Sequence, residues 1–308
     1  MENKVEKFKS GFVTLIGRPN VGKSTLLNYL VGEKVAIVSS RPQTTRNIIR
    51  GIVTFDEAQV IFLDTPGIIN LNQVKAPIDR YIIEEALKSL EGVDLIIVMV
   101  EPFAISKEDE FIKFIKVILQ DLKGVKKPVF LAINKMDKVK KIQLDSLQKE
   151  YRALFPFTHI IPISAKKGTN LSILMGEVIQ HLPSHPAYYS SNLITDQPER
   201  ILVAELIREK IFLLTRQEIP YSTLIKVESF EERNKNLIYI RATIYVEHSS
   251  QKGILIGKGG GMIKQIGKLA REEIEERLGC RIYLELRVGI KKKWRRRKES
   301  LKELGYQI

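Results

Sequence analysis

The chain has 308 residues, 44% of them hydrophobic and 28% charged, a composition that fits a globular protein with room for two domains, each with its own core. Its longest strongly apolar run, Leu95 to Val100, is far too short to cross a bilayer, and the charged stretch Met1 to Ser10 lacks the apolar centre of a signal peptide. A single cysteine, Cys280, excludes an internal disulfide and fits a reducing compartment; with only four scattered histidines beside it, a structural zinc site is not expected.

The net charge of +14 is uneven. Residues 1–185 carry 26 basic against 20 acidic side chains, whereas residues 186–308 carry 24 against 16 in a shorter segment. The denser positive charge in the last third points to a polyanionic partner.

In chain order, the first strand signal is Phe12 to Ile16, followed by Gly17, Arg18, Pro19, Asn20, Val21, Gly22, Lys23, Ser24 and Thr25, and then by an apolar helix start. Strand, glycine-bearing loop and helix in this order form a phosphate-binding loop. The loop turns several N–H groups onto one anion, the helix N-terminus faces the same charge, Lys23 reaches the outer phosphates and the Ser24 hydroxyl can bind the magnesium bridging them.

A polar segment holding Pro42, Gln43, Thr44, Thr45 and Arg46 follows. Two strand-like runs, Ile48 to Phe55 and Gln59 to Leu63, then read as an edge hairpin ending in Asp64, Thr65, Pro66 and Gly67. Asp64 falls at a strand end, where ligands gather in open α/β sheets, and can reach the magnesium shell through a water. Either Thr44 or Thr45 can complete that shell, and Gly67 has no side chain to keep its N–H from the last phosphate. Lys23, Thr45 and Gly67 are the candidates for handling the transferred phosphoryl group.

The pattern continues with a helix over Pro77 to Glu91, a continuous apolar strand Val93 to Val100 and a helix over Ser106 to Leu122. Val129 to Ile133 ends in Asn134, Lys135, Met136 and Asp137. A carboxylate at Asp137 matches the paired donors of guanine, which adenine lacks, while Asn134 and Lys135 brace the loop and cover the base. After Ile160 to Ile163, the backbone of Ser164, Ala165 and Lys166 can meet the guanine carbonyl. Alternating strands and helices with sites at strand ends predict a doubly wound, mostly parallel sheet.

Between His181 and Pro198 the periodicity gives way to Pro, Ser and Asn. The expected layout is a nucleotide domain over 1–185, a linker over 186–199 and a second, α+β domain over 200–308. That second domain reads as a helix carrying Val203, Leu206, Ile207, Ile211 and Leu214. Strands over Tyr221 to Phe230 and Leu237 to Glu247 follow, joined by a polar loop over 231–236. Next come the loop Gly257, Lys258, Gly259 and Gly260, a helix burying Ile263, Ile266, Ala270, Ile274 and Leu278, and a last strand from Arg281 to Val288.

A Gly-x-x-Gly loop entering a helix suits the backbone of about four single-stranded nucleotides, with Lys258, Lys264 and Lys268 as phosphate partners. From Arg287 to Lys298 no acid occurs. Lys291, Lys292, Lys293, Arg295 and Arg296 there would contact phosphates, and Trp294 is placed to stack on a base. The same cluster would also attract anionic lipid.

A phosphate-loop GTPase joined to a C-terminal type II KH domain closely resembles the Era family over nearly the whole chain. The resemblance rests on residues 42–46, 64–67, 134–137 and 256–260. It implies a bacterial ribosome-assembly GTPase that uses GTP and Mg2+, and a KH domain that holds the three-prime end of small-subunit ribosomal RNA on the 30S subunit. It also implies cytoplasmic work with peripheral membrane association, and it favours Thr45 over Thr44 for the metal. The chain is expected to act as a monomer. Ile68 stands where signalling GTPases such as Ras carry a water-orienting glutamine nearby, so slow turnover is expected. Resemblance to cation-dependent GTPases further implies that Asn20 helps hold a potassium ion. The rival reading is a signalling or trafficking GTPase whose basic C-terminal part binds protein or membrane.

Overall fold

The computed structural model describes residues 7–39, 41, 45–67, 76–103 and 127–303. The helix expected over Ser106 to Leu122 lies outside them, as do Thr44 and Ile68. The chain divides into two compact units: the first is built from residues 1–36, 45–74 and 82–196, and the second from residues 197–308 together with residues 37–44 and 75–81.

The first unit holds β1 (Lys9–Gly17), α1 (Lys23–Val31), β2 (Ile49–Thr54), β3 (Ala58–Asp64), β4 (Leu95–Val100), β5 (Val129–Ile133), α3 (Lys141–Leu154), β6 (His159–Pro162) and α4 (Leu171–His181); α2 (Pro77–Lys88) follows β3 in the chain, and only its part from Ile82 onward belongs to this unit. The strands order as β2-β3-β1-β4-β5-β6. The hairpin β2–β3 is antiparallel and every other pairing is parallel. Every residue of β3, β4 and β5 is buried, as strands covered on both faces must be. Leu26 and Leu27 of α1 and Leu174 and Val178 of α4 pack on one face, while Leu144 and Tyr151 of α3 pack on the other. This is the doubly wound sheet. Its chain order reverses around β1, so the loops after β1, β3, β5 and β6 open at one edge.

The segment expected as a linker over 186–199 is for most of its length fastened to the first unit. Buried Gln59 accepts from the backbone N–H groups of Tyr188 (2.8 Å) and Tyr189 (2.9 Å) and donates to the Tyr189 carbonyl (2.9 Å) and Thr54 Oγ1 (3.0 Å). Along edge strand β2, Ile52 N–H donates to Ile194 O (2.8 Å), Thr195 Oγ1 to Arg50 O (2.7 Å), and Arg50 pairs with Asp196 (2.7 Å). The physical reason is the sheet edge: β2 leaves backbone groups unpaired on its outer side, and this strap satisfies them.

The second unit holds α5 (Glu199–Leu214), α6 (Ile219–Ser222), β7 (Leu224–Asn234), β8 (Leu237–Val246), α7 (Ser249–Ile256), α8 (Gly261–Leu278), β9 (Arg281–Ile290) and α9 (Lys298–Glu303). Strand β8 is central, antiparallel to β7 and parallel to β9. Its alternate residues Ile238, Ile240, Ala242, Ile244 and Val246 are buried against Val203, Leu206, Ile207 and Ile211 of α5 and Ile266, Ala270 and Ile274 of α8. Leu214 and Leu278 line the margin, half-buried, and Ile263, expected in this core, is half-buried without joining it.

Two local expectations change. Residues 231–234 continue β7, leaving a turn of only Lys235 and Asn236, because β-bulges let the strands twist together to the tip. Tyr221 belongs to the short helix α6, which Pro220 opens in its first turn.

Candidate nucleotide site and nucleic-acid face

The loop between β1 and α1 is closed by its own lysine. Lys23 is buried, and its ammonium donates to the carbonyls of Gly17 (3.2 Å) and Arg18 (3.1 Å). Burial pushes its pKa down to about 8, against the opposing pull of the Asp64 charge. A buried cation held by carbonyl dipoles gains from any anion brought to it.

Beside it, three oxygen ligands converge from three elements. Ser24 at the start of α1 donates through Oγ to Asp64 Oδ2 at the end of β3 (2.6 Å). The Thr45 hydroxyl stands 3.2 Å from Ser24 Oγ and 3.5 Å from Asp64 Oδ2. Burial pushes the Asp64 carboxyl up to about 6, although Lys23 and the two hydroxyls favour its ionised form. Its Oδ1 is buried with no hydrogen-bond partner among the described residues. Hard oxygen donors around an under-satisfied carboxylate fit Mg2+, and Thr45 is the threonine described in this cluster.

Gly67 is packed edge-on against the phosphate loop. A Cβ there would lie 2.6 Å from both the N and the Cα of Pro19, so glycine is what allows the chain after β3 to pass. Thr65 turns inward, and its Oγ1 donates to Leu15 O of β1 (2.6 Å).

The base-selecting loops are joined to the phosphate loop by side chains. Buried Asn134 donates through Nδ2 to Val21 O (2.7 Å) and accepts from Ala165 N–H through Oδ1 (2.9 Å), so one amide links three loops. Lys135 donates to Asn20 O (2.9 Å) and pairs with Glu101. Glu101, at the C-terminal end of β4, was missed in the sequence; its signal is an acid directly after a buried strand. Asp137 is exposed, and Ser164 Oγ donates to its Oδ1 (2.7 Å). That bond, rather than the nearby lysines, is the main cause holding its carboxyl below the usual range. Lys166 is exposed.

In the second unit the loop register is set by backbone geometry. Gly257, Gly259 and Gly260 have φ of 71°, 59° and 77°, whereas Gly261 at φ −61° is the first residue of α8. Gly257 to Gly260 is therefore the loop, and Lys258, Lys264 and Lys268 are all exposed.

The basic stretch after β9 departs from expectation. Trp294 is fully buried, and its Nε1–H donates to Ser222 O (3.0 Å), so it has no face to offer a base. Arg295 is bound to Glu247 and Lys291 to Glu303. An indole among cations looked like a stacking platform in the sequence, but its large apolar area is satisfied by the core of this unit instead. Lys292, Lys293 and Arg296 remain exposed.

Among the described residues no helix is long and apolar enough to cross a membrane.

Comparison with known proteins agrees with this arrangement. A family described as "50S ribosome-binding GTPase" matches residues 12–135, and a KH domain family matches residues 218–295. GTPase Era of Halothermothrix orenii is 50% identical over 303 residues, covering 97% of this chain and 99% of its own length. That of Lactobacillus helveticus is 49% identical, covering 99% and 98%. Among solved structures, Era in complex with MgGDPNP and nucleotides 1506–1542 of 16S ribosomal RNA superposes with a TM-score of 0.89 at 39% identity, covering 98% of this chain and all of that one. A variant of Aquifex aeolicus Era bound to GDP and AlF4− does so with a TM-score of 0.88 at 38% identity. With half of its residues shared along nearly the full length of both chains, and with the phosphate loop and KH unit each in place, this protein belongs to the Era family of GTPases.

Proposed function

We propose that the protein is a GTP-dependent switch that grips the three-prime end of small-subunit ribosomal RNA and assists 30S assembly. The observation that carries this reading is the near-full-length likeness to an Era solved with MgGDPNP and 16S nucleotides 1506–1542, in a chain whose own Gly257–Gly260 loop is glycine-kinked and carries exposed Lys258.

In this reading the backbone N–H groups of the loop over residues 17–25, Pro19 excepted, cradle the phosphates, and Lys23 exchanges its carbonyl partners for the β and γ oxygens. Ser24, Thr45 and, through a water, Asp64 would hold Mg2+, which supplies charge neutralisation where the transferred phosphoryl group develops negative charge. Asp137 accepts from guanine, with Ser164, Ala165 and Lys166 closing on its carbonyl. Gly67 N–H follows the γ phosphate. Asn20, whose carbonyl already holds Lys135, would help seat a potassium ion that adds positive charge at the leaving oxygens. On the RNA side, Gly257 to Gly260, Lys258, Lys264 and Lys268 take the backbone, and Lys292, Lys293 and Arg296 add electrostatic affinity. The protein works in the cytoplasm, and the same exposed cations give it a weak peripheral hold on anionic membrane.

The test is a titration of a 16S three-prime-end oligonucleotide against the GDPNP and GDP forms, with Lys258→Glu alongside. Tighter binding in GDPNP, lost on charge reversal, is expected; equal affinity in both nucleotide states defeats the switch. Turnover compared in potassium and sodium at equal ionic strength tests Asn20, and equal rates discard that role.

A further inference from the structure

At the opposite end of the sheet from the phosphate loop, three ligating side chains meet. His159 is the first residue of β6, while Glu177 and His181 sit one turn apart at the end of α4. One ligand atom from each lies within 4.8 Å of the other two. A tetrahedral zinc ion with bonds of ~2.0–2.1 Å sets its ligand atoms ~3.3 Å apart. His159 Nε2 and Glu177 Oε2 already stand at 3.2 Å.

The orientation of the second imidazole supports the same reading. His181 Nδ1 lies 2.8 Å from the backbone carbonyl of Glu177. With Nδ1 directed at that carbonyl, Nε2 is the His181 nitrogen left to face a metal, the arrangement found when histidine serves as a ligand. Phe130, fully buried on β5, holds both rings edge-on at 4.9 and 5.2 Å. The cluster is half-buried: the His159 and Glu177 side chains are 33% and 29% exposed, so solvent reaches a fourth position.

We infer that His159, Glu177 and His181 form a binding site for a divalent transition metal of the zinc class. Two imidazoles and one carboxylate are the ligand set of three-coordinate protein zinc sites that leave one position to water, and imidazole nitrogen selects against Mg2+. Counting cysteines and histidines along the chain misses the site because one ligand is a carboxylate and the others are far apart in sequence. The site clamps β6 to α4 away from the nucleotide, which makes it a structural or regulatory site rather than part of hydrolysis.

The test uses the full-length protein loaded with GDP in excess magnesium and titrated calorimetrically with zinc chloride alone. One zinc per chain is expected in the micromolar range, and Co2+ in its place should give the visible absorption of a tetrahedral site. Glu177→Gln and His181→Asn should each weaken zinc binding at least about tenfold while fluorescent GDP still binds, which shows that the unit is folded. Binding that stays weaker than millimolar in the wild type, or a site that survives both substitutions with its affinity unchanged, overturns the inference and leaves His159–Glu177 as an ion pair only.

Discussion

Replacing Asp64 by Asn should stabilise the protein when nucleotide and metal are absent, even though it disables the magnesium site. Burial raises this carboxyl from 3.8 in the unfolded chain to about 6 in the folded one. A raised acid contributes stability that is full below pH 3.8 and is lost as pH rises through 6. At pH 7.5 the ionised side chain therefore costs about 3 kcal/mol, taking about 1.4 kcal/mol per pKa unit. Asn removes that cost, and its amide can still meet the Ser24 and Thr45 hydroxyls. One imperfectly paired amide atom gives back about 1 kcal/mol, leaving a net gain of about 2 kcal/mol.

Urea unfolding of metal-free, nucleotide-free protein measures this. Trp294 is the sole tryptophan and lies in the second unit, so its fluorescence follows that unit while far-UV circular dichroism reports both. The variant should be slightly less stable than wild type at and below pH 4, where the carboxyl is protonated and only the amide penalty of about 1 kcal/mol remains, and the order should reverse as pH rises through 6 to reach the full gain by pH 7.5. A difference that is constant with pH, or a variant less stable than wild type at pH 7.5, would refute the reasoning. Adding magnesium and GTP should reverse the order, because only the carboxylate repays its burial with a metal.

Three other substitutions separate the parts of the machine. Asp137→Asn should lower GTP affinity at least about 100-fold and admit xanthine nucleotides, since the amide presents a donor where guanine also presents one; competition with fluorescent GDP reads both effects. Gly67→Ala places a methyl 2.6 Å from Pro19 backbone atoms and should cut single-turnover GTP hydrolysis about 100-fold through misplacement of the loop; an unchanged rate would remove Gly67 from the phosphate site. Trp294→Phe strands the Ser222 carbonyl and should destabilise the second unit by about 1–3 kcal/mol while leaving the RNA affinity of the folded protein unchanged; weaker RNA binding without lost stability would restore a stacking role.

Much of this molecule was readable along the chain because its chemistry is local. The phosphate loop needs its lysine and serine directly at a helix start, and the Asp64 and Asp137 boxes need only the end of a buried strand, so short windows carry them. The nearly unbroken apolar runs of β3, β4 and β5 likewise announced a sheet covered on both faces. What only the tertiary structure decided involves residues distant in sequence. Asn134 tying Val21 to Ala165, Gln59 fastening the strap at Tyr188 and Tyr189, and His159 meeting Glu177 and His181 depend on which strands become neighbours. Trp294 shows the limit most plainly: its sequence neighbours are cations, but its spatial neighbours are the core of the second unit, and the gain from burying an indole with its N–H satisfied outweighs the pattern around it.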